Sequence, residues 1–134
     1  MPTIGTPPLT PAQTWAEVDA LAAWCAAQGS TQLVARYGWG CRADPLPQQM
    51  ACADLAAWLG AAIAADRYTL GEDNLHLCAV DGAWELLLCH EGDVHFSSAD
   101  AASVAEWRRA WTARGYAVWG DDRTSRKTSS VGKS

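Results

Sequence analysis

A chain of 134 residues, 49% of them hydrophobic and 19% charged, is too apolar to remain disordered and long enough for one core, because folding at this length removes roughly two-thirds of the unfolded surface from water. Its formal charge of −5 is unevenly divided: residues 1–120 hold six arginines, no lysine and thirteen acids, whereas residues 121–134 hold four bases and two acids. An acidic body repels phosphates and so argues against nucleic-acid binding, and the longest apolar stretch, Ala51 to Ala65 interrupted by Asp54, is shorter than the ~20 residues of a membrane-spanning helix.

Met1 to Pro11 carry neither a positive charge nor an apolar run, so no secretory signal is expected and the expected location is the cytoplasm. Thr10, Pro11 and Gln13 then offer a helix cap, a first-turn proline and a reciprocal capping-box partner, with Gly29 as the stop. On that first helix Trp15, Val18, Ala22 and Cys25 form the expected buried stripe, which leaves Trp24 projecting away from it. Thr31 to Tyr37 reads as a strand, followed by an irregular Gly38-Trp39-Gly40-Cys41 and Asp44-Pro45-Leu46-Pro47 connection. A second helix is expected over residues 47–65, with Cys52, Leu55, Trp58, Leu59, Ala62 and Ile63 on one face.

The strongest local signal is Asp81-Gly82 between two apolar runs, the pattern of a two-residue type I′ hairpin. Its register sets Ala79 against Trp84, Leu77 against Leu86 and Leu75 against Leu88 on the core side, and puts His76, Cys78, Glu85 and Cys89 on the other. A turn at Glu91-Gly92-Asp93 leads to a strand at Val94 to Ser97, with Val94 and Phe96 inward and His95 across from Cys89. Ser97 to Asp100 start a third helix with Val104, Trp107 and Trp111 buried; Gly115 ends it, and Tyr116 to Trp119 form a last strand. The whole predicts a single α+β domain over residues 1–120, in the order α-β-α-β-β-β-α-β, with a mostly antiparallel sheet of about five strands, three helices and a flexible tail over 121–134.

Five cysteines without a CxxC pair argue against a disulfide framework and a four-thiolate zinc site, so reduced thiols are expected. His76, Cys78, Glu85, Cys89, His90, Glu91 and His95 offer the imidazole, thiolate and carboxylate ligand types of zinc but match no zinc spacing; no metal and no cofactor are expected. A Cys89 and His95 nucleophile pair would need an orienting group, and Asp93, as a turn acid, is expected to be solvated. Nucleophile-elbow, phosphate-loop and HExxH motifs are missing. Surplus aromatics on an acidic body point instead to a non-enzymatic binding protein masking a basic protein, in the manner of bacterial immunity proteins and small inhibitors. The expected contact residues are Trp24, Trp39, Tyr37 and Arg36. A secretion chaperone, or a small enzyme or ligand-binding domain working from the His/Cys sheet face, are the alternatives.

Overall fold

The computed structural model describes residues 1–38 and 46–121; Trp39 and the expected tail beyond Asp121 lie outside the described residues. The elements are β1 (Thr3–Gly5), α1 (Pro11–Ala27), β2 (Gln32–Tyr37), β3 (Gln48–Ala51), a 3₁₀ turn (Cys52–Asp54), α2 (Leu55–Ala64), β4 (Leu75–Ala79), β5 (Trp84–Leu88), β6 (Val94–Ser98), α3 (Ala101–Ala113) and β7 (Trp119–Asp121). The class is α+β, but the described sheet has seven strands rather than about five, in the order β3-β2-β4-β5-β6-β1-β7, with every pairing antiparallel. No helix among the described residues is long and apolar enough to cross a membrane.

The two additional strands were hidden for different reasons. β1 is three residues long, between Pro2 and Pro7, and exists only because β6 and β7 flank it, pairing Ile4 with Phe96 and with Gly120. β3 occupies residues assigned by periodicity to the second helix: Gln48 to Ala51 pair with β2, so α2 begins at Leu55 instead of near Pro47. β7 likewise starts at Trp119, three residues later than expected, and reaches Asp121.

α1 starts as its sequence dictates. The Thr10 hydroxyl accepts from the Gln13 N–H at 3.2 Å, and the Gln13 side chain accepts from the Thr10 N–H at 2.9 Å. Its buried face, however, is Thr14, Glu17, Val18, Leu21, Trp24 and Cys25, an i, i+3, i+4, i+7 series that includes Trp24. The expected stripe is thus rotated, because it left out the charged Glu17. That carboxylate is fully buried and accepts from Trp111 Nε1 at 2.8 Å, from Arg114 Nε and Nη2 at 2.7 and 2.8 Å, and from the Tyr116 hydroxyl at 3.1 Å. Four donors replace its water, which is the condition for burying a charge. The bidentate Glu17 contact also keeps the Arg114 guanidinium above its ordinary pKa.

Trp24 lies at the centre of an aromatic cluster. Its ring meets Trp84, Phe96 and Trp107 edge-on with centroids 5.5, 5.5 and 5.7 Å apart, and Trp107 stacks on Phe96 at 5.0 Å. Edge-on and offset pairs of this kind contribute ~0.5–1.5 kcal/mol each beyond area burial. Residues of all three helices join Leu33, Ala35, Leu75, Leu77, Leu86, Leu88, Val94 and Phe96 in one buried cluster, so helices cover one face of the sheet. The strands alternate buried and half-buried positions, as a sheet covered on one side does.

Candidate functional site

The face left uncovered by the described residues is built by strand pairing. Arg36, His76, Leu87, His95, Gly5 and Trp119 are successive Cα partners across β2, β4, β5, β6, β1 and β7, forming one row perpendicular to the strands. None belongs to the buried cluster or packs on it. Trp119 is 43% exposed, yet it is held in place: its indole covers Gly5, where a Cβ would meet the ring, and its Nε1 donates to the Thr6 carbonyl at 2.8 Å. Its ring also meets His95 edge-on, with centroids 4.9 Å apart.

The row carries two separate polar clusters, divided by Leu87. In the first, His76 Nδ1 lies 2.5 Å from Glu85 Oε2, and Cys78 Sγ donates to the same oxygen at 3.8 Å. The hydrogen bond from His76 outweighs burial and holds the Glu85 carboxyl below its ordinary value, while burial and the Glu85 charge push the Cys78 thiol up. The expected His76, Cys78, Cys89 and His95 face therefore does not converge on one centre, because a leucine occupies the position between the two histidines.

The second cluster is at the β5–β6 turn. Gly92, at φ +92°, folds the chain back so that the Cys89 N–H donates to the Asp93 carbonyl at 2.9 Å and the Gly92 N–H to the Cys89 carbonyl at 2.9 Å. Cys89 is thus opposed by Asp93, and His95 by Leu87, which corrects the expected Cys89 and His95 pairing by two residues. The consequence is a trio. A ligand atom from each of Cys89, Asp93 and His95 lies within 4.8 Å of the others, and His95 Nε2 is 2.6 Å from Asp93 Oδ2. The Asp93 side chain is only 15% exposed, contrary to the expectation of a solvated turn acid. Burial alone would raise its carboxyl, but hydrogen bonds from His95 and Cys89 keep it below its ordinary value. Burial pushes the Cys89 thiol up, and the Asp93 and Glu91 charges add to that against a hydrogen bond from the Glu91 backbone. A nucleophile needs its thiol lowered, so the trio lacks the electrostatics of an activated cysteine.

Of the four expected contact residues, Trp24 and Tyr37 are buried, at 9% and 7% exposure. Tyr37 stacks on Trp58 with centroids 5.5 Å apart, under α2. Arg36 is exposed and begins the row on the open face. Trp119 was expected only as the end of a last strand, with no facing assigned; the sequence signal for its exposed seat is Gly5, whose missing side chain makes room for the indole. A concavity of about 310 Å³ lies between α1 and α3 over Trp24 and Trp107, with Glu106 and Arg114 among its lining residues. Comparison with protein-family models, curated proteins and solved structures finds no match.

Proposed function

We propose that this chain is a non-enzymatic binding protein that masks a basic protein partner with the open face of its sheet. The observation that carries the reading is Trp119, a large ring pinned in the open beside His95. An aromatic already held in one orientation loses little conformational entropy on docking, and rigid aromatic anchors ringed by polar groups dominate interface energetics. The sign of the partner follows from the charge of residues 1–120, where acids outnumber arginines thirteen to six; such a field steers a basic partner and raises the association rate at low salt. Arg36 at the far end of the row supplies a point of registry within that acidic surface.

An immunity-type or inhibitor protein is encoded beside its target, so the test is calorimetric titration of the purified chain with the products of the adjacent genes. The expected result is one basic product that binds, with Trp119→Ala and Leu87→Glu each weakening it at least tenfold while melting temperatures stay near wild type. Rising salt should slow association more than it speeds release. Binding unchanged in both variants would refute the reading.

A further inference from the structure

We propose that Cys89, Asp93 and His95 form a binding site for one divalent ion of the zinc class, with a fourth coordination position facing the solvent side of the sheet. The donor set is sulfur, oxygen and imidazole nitrogen, a combination that selects zinc and its neighbours over magnesium or calcium, which prefer oxygen alone. The geometry needs little adjustment. Three atoms already within 4.8 Å of one another must close to about 3.5 Å around a tetrahedral ion with bonds of ~2.0–2.3 Å, a movement within reach of side-chain rotation.

Two further observations point to a ligand rather than to a finished hydrogen-bond network. Asp93 Oδ1 is buried with no hydrogen-bond partner, although Oδ2 is taken by His95. A carboxylate oxygen shielded from water and left unpaired is costly, and a cation removes the cost. The supports are also fixed before any ion arrives. The Gly92 turn sets Cys89 against Asp93 through its two backbone bonds, the Leu9 N–H donates to the Gly92 carbonyl at 3.0 Å, and the Trp119 ring holds the His95 imidazole edge-on. On coordination the Cys89 sulfur gives its proton to solvent and binds as thiolate, while His95 Nε2 gives up the proton it donates to Asp93, the ring taking the Nδ1–H tautomer, so that the freed Nε2 lone pair binds the ion.

The spacing of Cys89, Asp93 and His95 resembles no zinc motif in sequence because two of the ligands bracket a turn whose fold-back is set by Gly92. The site does not depend on the partner-binding reading, since it is assembled within one turn and one strand.

The test uses the full chain, reduced and freed of metal with a chelator, titrated with Co²⁺ alone. The expected result is a sulfur-to-cobalt charge-transfer band that saturates at one equivalent and is displaced by Zn²⁺. Cys89→Ser should abolish the band, and Asp93→Asn should weaken the apparent affinity at least tenfold with the circular dichroism unchanged. Cys41→Ser and Cys78→Ser should leave both band and affinity as in wild type. No band at one equivalent, cobalt bound without a charge-transfer band, or a band that survives Cys89→Ser would each overturn the proposal, as would a band lost in Cys78→Ser.

Discussion

Glu17 is the polar anchor of α1 in the fold. Its carboxylate collects Trp111, Arg114 and Tyr116, tying α1 to the end of α3 and the segment beyond it. Glu17→Ala leaves the buried Trp111 indole N–H and the Arg114 charge without their acceptor, and should cost about 3–5 kcal/mol in chemical denaturation. Trp24→Ala opens a cavity among Trp84, Phe96 and Trp107 and should cost a similar ~3–5 kcal/mol; a variant melting with wild type would contradict its place in the core. The sequence pattern misplaces two residue-scale features. The stripe drawn through Trp15, Val18, Ala22 and Cys25 leaves Trp24 outside, whereas the buried face includes Glu17, a charge that belongs inside because four donors meet it. Asp93, expected as a turn acid to be solvated, is mostly buried against His95. pH reports on the open-face pairs. Glu85 is held below its ordinary 4.5 by His76, so its contribution is present above that value and is lost as pH falls through the lower folded value. Glu85→Gln should therefore melt below wild type at neutral pH, and the gap should narrow as pH falls below 4.5.

Elements with local determinants were legible, and those that depend on distant partners were not. The α1 cap needed only Thr10, Pro11 and Gln13, and Thr10→Ala should cost ~1 kcal/mol in thermal or urea unfolding. The β4–β5 register follows by counting outward from Asp81-Gly82, and Leu75, Leu77 and Cys78 meet Leu88, Leu86 and Glu85 as expected. The turn joining these strands is different from the expected type I′. Only Gly82 has a positive φ, at +79°, with its N–H donating to the Ala79 carbonyl at 3.0 Å, while Asp81 Oδ1 accepts from the Ala83 N–H. The loop is consequently four residues, a helical-type turn closed by one left-handed glycine. Gly82→Val still places a β-branched residue at that φ and should destabilise by ~1 kcal/mol or more; an unchanged denaturation midpoint would contradict the turn. β1 and β3 carry no such local code: one is three residues long and the other reads as the start of a helix, and each is a strand only because a neighbour supplies its hydrogen bonds.

At the scale of the molecule, the described helices and the aromatic cluster lie on one side of a seven-stranded sheet, and the other side presents a row of polar and half-buried groups ending in Trp119. The sequence reading looked for the partner surface on the helical side and in a loop, because a large ring off the assumed stripe was the visible anomaly. Trp24 fills the core instead, and the exposed ring is one whose accommodation depends on Gly5, more than a hundred residues away. The open face as partner surface is the central claim, and the amide footprint of the bound partner tests it most directly. Nuclear magnetic resonance of the isotope-labelled chain, titrated with the adjacent-gene product that binds it, should shift the Trp119 indole and the amides around Arg36, His76, Leu87 and His95 while leaving α1 and α3 in place. A footprint confined to α1 and α3 around the Trp24 and Trp107 groove, with the Trp119 indole unmoved, would contradict it.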